Sequence, residues 1–164
     1  MNVMQKIKIE KIVLSVGGTG EDLDKGVRML SLFTEKKPAK IKSKKRIPSL
    51  GVRPKLEVGA VITLRKNIED LLKKLLATIN NELKRKQICE NAFSFGIKEY
   101  IEIPGMEYQR NIGNRGFDVT LVFKRSGKRI KLKKIKQGKF PKRQNVSKDE
   151  IIKFMEENFQ TKFF

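Results

Sequence analysis

The chain has 164 residues, of which 38 are Lys or Arg and 18 are Asp or Glu, giving a formal net charge of +20 with no histidine. That length suits one domain with a core of its own, and a charge excess spread along most of the chain calls for a polyanion, nucleic acid before a membrane surface. A single cysteine, Cys89, excludes an internal disulfide and, without histidine, a structural zinc site. The absence of a long apolar run predicts a chain with no signal peptide and no membrane span, kept inside the cell.

Residues 6–16 alternate as a strand whose phase slips at Glu10-Lys11, so that Ile7 and Ile9 share one face and Ile12, Leu14 and Val16 the next. A bulge or short turn is expected there, with Val13 and Ser15 opposite the core. The glycines of Gly17-Gly18-Thr19-Gly20 break the strand, and Thr19 is placed to cap a helix with Leu23, Val27, Leu30 and Phe33 on its apolar stripe. A short strand follows Pro38, with Ala39, Ile41 and Ser43 on one side and Lys40, Lys42 and Lys44 on the other. Residues 45–58 read as a projecting basic loop.

Alternation returns at residues 60–65, where Ile62 and Leu64 face the core and Thr63 and Arg65 face outward; pairing in one sheet is expected to put Lys40 and Lys42 on that same outward side. Asn67 caps the strongest helical pattern, with Ile68, Leu71, Leu72, Leu75, Leu76, Ile79 and Leu83 on one stripe and Lys73, Lys74, Lys84 and Arg85 on the other. Residues 97–103 and 117–123 read as strands, the second with its odd positions inward. Ser126-Gly127 reads as a hairpin turn into a strand over residues 129–133 whose odd positions are all basic. A second basic loop covers residues 133–145, and Ser147 with Glu150 has the spacing of a capping box opening a last helix. The fold class this predicts is α+β: a largely antiparallel sheet with helices packed on one face and the other face open, an RRM-like or ferredoxin-like sandwich in a single domain.

Catalytic chemistry finds little support. The sequence VGGTG lacks the Lys-Ser/Thr of a phosphate-binding loop and the spacing of a dinucleotide fingerprint, and reads as a plain strand-to-helix turn. Glu99 and Glu102, three apart on an expected strand, point to opposite faces and form no carboxylate pair. With no histidine and no nucleophile beside a base, no enzyme and no cofactor are expected. The open face is more informative: Ser15, Lys40, Lys42, Thr63 and Arg65 offer cations to phosphates and hydroxyls to sugars, which suits folded RNA. A reader of single strands would need stacking aromatics there, and none falls at those positions.

Six segments together resemble one family, the universal large-subunit ribosomal proteins that bind 5S rRNA, the fifth protein of that subunit. They are NVMQKIKIEKIVLSVG at 2–17, TEKKP at 34–38, KSKKRIPSLGVR at 42–53, VGAVITLR at 58–65, FSFGIKE at 93–99 and IGNRGFDV at 112–119. FPKRQNVSKDEIIKF at 140–154 resembles the archaeal and eukaryotic branch, and the style of the sequence suggests an archaeal type. The resemblance implies a place in the central protuberance, with 5S rRNA held at positions matching Ser15, Lys36, Thr63 and Arg65; the reading of the open face adds Lys40 and Lys42 to that contact. Ser15 and Lys36 depart from the family's usual Asn and Gln, and Lys36 offers a phosphate contact in place of an amide. It implies that the loop formed by Ile47, Pro48, Ser49, Leu50, Gly51, Val52, Arg53 and Pro54 reaches P-site tRNA. It also implies an intersubunit bridge to a small-subunit head protein and contact with a neighbouring 5S-associated protein. Large-subunit rRNA is the expected partner of Lys44, Lys45, Arg46, Lys133, Lys134, Lys136, Lys139, Lys142 and Arg143. The competing reading is a regulatory RNA-binding protein acting off the ribosome; the leading one is cytoplasmic, ribosome-bound and structural, without membrane or metal.

Overall fold

The computed structural model describes residues 2–34 and 36–164. Twelve regular elements follow the chain: β1 (Ile7–Gly17), α1 (Glu21–Leu32), β2 (Ala39–Lys42), β3 (Glu57–Leu64), α2 (Ile68–Thr78), β4 (Glu82–Leu83), β5 (Ile88–Cys89), β6 (Ala92–Ile97), β7 (Phe117–Arg125), α3 (Arg129–Leu132), α4 (Lys148–Phe159) and β8 (Lys162–Phe163). Six strands form a mostly antiparallel sheet in the order β2-β3-β1-β7-β6-β5, and β4 pairs with β8 in a small parallel ribbon. With its helices this is the expected open α+β sandwich. Contacts divide the chain into two compact units, Val13–Leu64 with Gly96–Val119, and Met1–Ile12 with Arg65–Phe95 and Thr120–Phe164.

In the first of these units, side chains alternate by strand pleat. Leu14, Val16, Ala60, Ile62 and Leu64 are buried, while Val13, Ser15, Val61 and Thr63 are half-exposed. Helix α1 covers the buried side with Leu23, Met29 and Leu30. It sits so close that a Cβ on Gly26 would lie 2.6 Å from Val16 Cγ1, which accounts for glycine inside a helix. Gly20, not Thr19, stands at the N-cap, with a φ of 58° and no side-chain cap. Phe33 packs on Phe117 with ring centroids 5.0 Å apart.

The expected strand over residues 97–103 is absent: β6 ends at Ile97 and Tyr100–Glu102 is a 3-10 turn. Tyr100 is wholly buried, its backbone N–H donates to the Arg115 carbonyl and its hydroxyl accepts from the Gln109 N–H at 2.8 Å. Satisfying that buried hydroxyl turns the chain where alternation alone would extend it.

The other unit packs α2 and α4 through Leu72, Leu75, Leu76, Ile151 and Met155, each fully buried, which stabilises the fold by about 2 kcal/mol per side chain. Phe93, Phe123 and Phe154 form a chain of ring contacts, 5.9 and 5.6 Å apart. Helix α2 ends at Thr78, one turn before the sequence pattern does, because Asn80 and Asn81 adopt left-handed φ values of 54° and 57°. Leu83 is buried from β4 instead. The capping box of α4 is present as expected: Ser147 accepts from the Glu150 N–H and the Glu150 carboxylate accepts from the Ser147 N–H. The expected strand over residues 129–133 is the short helix α3.

Candidate nucleic-acid interface

In the unit that holds β2 and β3, the open side of the sheet follows from register. Ala39 pairs with Val61, Lys40 with Ala60 and Ile41 with Gly59. Directly opposed residues share a face, so Ala39 and Ile41 join Val61 and Thr63, while Lys40 shares the side of the buried Ala60. The expectation that Lys40 and Lys42 lie beside Thr63 is therefore corrected: the alternation was right and the face was inverted. Lys40 makes ion pairs with Asp24 of α1 at 2.9 Å and Glu57 at 3.1 Å. Its hydrogen bond to Asp24, then that to Glu57, raises its pKa above the ordinary lysine value. After a register shift Lys42 pairs with Glu57 and, with Lys40, Lys55, Leu23 and Asp24, lines a depression of about 350 Å³.

On β1, β2 and β3 of this unit the open side carries Val13, Ser15, Ala39, Ile41, Val61 and Thr63, which are short, β-branched or hydroxylated; β7 adds the exposed Asp118 carboxylate, between the buried Phe117 and Val119. The Lys36 N–H donates to Thr34 Oγ1 at 3.2 Å and its side chain is exposed; Glu35 of the same motif lies outside the described residues. Arg65 follows the end of β3 and groups with the other unit, where it lines a depression of about 690 Å³ with Ile7, Lys8, Lys73, Phe154 and Phe159.

The loop at residues 43–56 folds as a hairpin. Ile47 and Val52 exchange backbone hydrogen bonds of 2.9 and 3.0 Å around a Pro48–Leu50 turn, and Gly51 closes it with a φ of 63° that glycine adopts without strain. Ser43 bonds to Leu56 and Lys55 at its base, each at 2.8 Å. Val52 is 7% exposed and anchors the hairpin, whereas Leu50 at its tip is 70% exposed. Lys44, Lys45, Arg46, Pro48, Ser49, Arg53 and Pro54 are all exposed, and no acidic residue stands between Glu35 and Glu57.

The second basic segment belongs to the other unit. No acidic residue stands between Asp118 and Asp149, and Lys133, Lys134, Lys136, Lys139, Lys142 and Arg143 are exposed. Its ends are pinned: Lys128 Nζ pairs with Glu10 at 2.5 Å, and Arg125 bonds both the Arg143 carbonyl and the Glu150 carboxylate. Burial by itself raises the Glu150 pKa, but the Ser147 backbone N–H and the Arg125 charge outweigh it and hold it below the ordinary carboxylate value. Sequence reasoning missed Ile130, Leu132 and Ile135, which the structure leaves exposed among these cations. The signal was an apolar set with no facing strand to bury it.

Among the described residues no cluster of metal-ligating side chains is present, and no helix is long and apolar enough to cross a membrane. A hydroxyl-bearing open sheet side and two cationic segments free of acidic residues define an α+β protein whose surface suits a polyanion. Residues 2–53 match the model of ribosomal protein L5, and residues 57–154 match the model of the C-terminus of the same ribosomal family. The large ribosomal subunit protein uL5 of Nanoarchaeum equitans is 39% identical over 158 residues, covering 94% of each chain. That of Methanosphaera stadtmanae is 37% identical, covering 97% of each, and that of Sulfolobus acidocaldarius is 37% identical, covering 96% of this chain and 91% of its own. The chain belongs to the ribosomal protein L5 family, in its archaeal form.

Proposed function

We propose that this protein is a structural, non-enzymatic constituent of the large ribosomal subunit, the assembly its relatives are named for, and works there as one rRNA-binding module in the cytoplasm. Its open sheet side, with Ser15 and Thr63, packs on 5S rRNA, and Lys36 and Arg65 take phosphates. The observation that carries this reading is the chemistry of that side along β1, β2 and β3: hydroxyls and short apolar side chains suit the wide, shallow minor groove of RNA, which displays 2′-hydroxyls and sugars. Lys40, engaged with two carboxylates, serves the fold before it serves RNA, while the exposed Lys42 stands away from the Ser15 and Thr63 side.

The hairpin tip, Ile47 to Pro54, reaches P-site tRNA and contributes to a bridge with a small-subunit head protein. Its backbone bonds and buried Val52 support this by fixing the tip before binding, which lowers the entropy lost on contact. Residues 133–145 dock on large-subunit rRNA, beside a neighbouring 5S-associated protein. The test is a competition titration of cognate 5S rRNA against a tRNA and a random RNA of equal length. Preference for 5S rRNA, lost in a Ser15→Ala/Thr63→Ala variant, is expected; equal affinity for all three overturns the reading.

A further inference from the structure

We propose that residues 128–143 form an RNA-binding arm in which Leu132 and Ile135 make an apolar seat for an unpaired, unstacked nucleotide, with the surrounding lysines on the flanking phosphates. The inference deepens the rRNA reading above and rests on it.

Three observations converge. First, Ile130 is 47% exposed, Leu132 66% and Ile135 80%. Single exposed apolar residues are ordinary, but these three fall within six positions, 130–135, whose other members are all lysine. Secondly, the arm is fastened. Beyond its pinned ends, the Gly138 N–H donates to the Ile130 carbonyl and the Gln137 amide to the Lys131 carbonyl. A Cβ on Gly138 would lie 2.6 Å from Ile130 Cγ2, so the returning chain lies flush on that side chain. Lys136 takes a φ of 53° and bends the chain immediately after Ile135, leaving that side chain at the corner. Thirdly, Leu132 and Ile135 line an open depression of about 510 Å³ with Arg129, Lys133 and Lys134.

Charge complementarity selects the occupant. A partner meeting this surface has phosphates within reach of every apolar side chain, because lysines interleave with them and are not segregated to an opposite face. A membrane-lying helix presents a long continuous apolar stripe, and α3 has only four residues. A continuous RNA duplex offers phosphates but no apolar surface; a bulge or loop offers both, since its bases are splayed out of the stack. Apolar side chains set against opened base steps within a basic frame are an established way of holding such sites.

The test is a fluorescence titration of the full chain with an RNA duplex carrying one bulged 2-aminopurine and with the same duplex fully paired. The bulged duplex is expected to bind about tenfold more tightly, with a change in 2-aminopurine emission. A Leu132→Ser/Ile135→Ser variant, altered only at exposed positions, loses that preference and the emission change but keeps its affinity for paired RNA and its salt dependence. Equal wild-type affinity for both duplexes overturns the proposal, as does a preference retained by the double variant or tighter binding to anionic phospholipid vesicles than to either RNA. Failure of the 5S rRNA reading shows instead in the competition among natural RNAs and leaves the bulge preference in place.

Discussion

The hairpin at residues 43–56 and the arm at residues 128–143 are both basic, both punctuated by Gly or Pro, and both free of acidic residues, yet they are ordered by different means. The hairpin holds itself: two backbone bonds, a glycine of positive φ and one buried valine. The arm adds to its own two bonds, Gly138 to Ile130 and Gln137 to Lys131, ion pairs and bonds to residues outside it, Lys128 on Glu10 and Arg125 between Arg143 and Glu150. Charge in a sequence names the kind of partner. How that charge is presented depends on which groups restrain the backbone, and a self-restrained tip suits a single contact while an anchored arm suits a broad one.

The largest expected effect separates the two as RNA contacts. A Lys133→Gln/Lys134→Gln/Lys136→Gln variant is expected to lower affinity for rRNA about a hundredfold and to flatten the dependence of log K on log salt by about three. The pair Arg46→Gln/Arg53→Gln, at the hairpin, is expected to change the corresponding slope for tRNA by about two and to move the rRNA slope less than the arm variant does. Filter-binding titrations across a salt series check both, and equal rRNA slopes for the two variants would erase the distinction. Next in size is Val52→Ala, which removes the hairpin's one buried anchor at a cost of about 2 kcal/mol of local stability. Hydrogen exchange at the Ile47 and Val52 amides is expected to quicken while the amides of the arm are unchanged.

Acid should do the converse. The Glu150 pKa lies below its ordinary value in the folded protein, so its contribution is present above the ordinary carboxylate range and is lost as pH falls through the folded value. Glu150 is 40% exposed, and with screening its replacement by Gln is expected to cost about 1 kcal/mol. Protection of the Ser147 and Glu150 amides should fall with pH in the wild type and stay low in Glu150→Gln, with no pH response in the hairpin.

Much of the fold was legible because period and caps are local. The alternation of β7 from Phe117 to Phe123, the burial of Ile62 and Leu64, and the Ser147–Glu150 box all follow from neighbours a few residues apart. What failed was nonlocal. Residues 129–133 alternate as a strand does, but a strand needs a partner to bond, and without one the backbone closed its own turn as α3. Residues 97–103 were bent by Tyr100, whose buried hydroxyl needs the Gln109 N–H. The open side was read correctly at Ser15 and Thr63 from their own strands. The apolar seat of the arm was hidden because exposure, unlike periodicity, is set by what is missing opposite.

Lys40 shows the same limit in one residue and supplies the smallest expected effect. Its strand has four residues, all exposed, so burial could not orient it; only its pairing with Ala60 does. A reading from charge alone makes Lys40 a phosphate contact whose loss lowers the salt slope by about one. The register makes it a clip between α1 and β3, already satisfied by Asp24 and Glu57. Lys40→Gln is therefore expected to leave rRNA affinity and salt slope unchanged, while Thr63→Ala, with no change of charge, lowers the preference for 5S rRNA. Because the Lys40 pKa is raised, its contribution to stability is fully present below the ordinary lysine value and is lost as pH rises through the folded one. Alkaline unfolding curves of wild type and Lys40→Gln should therefore converge at high pH, and a slope change at neutral pH would return Lys40 to the RNA.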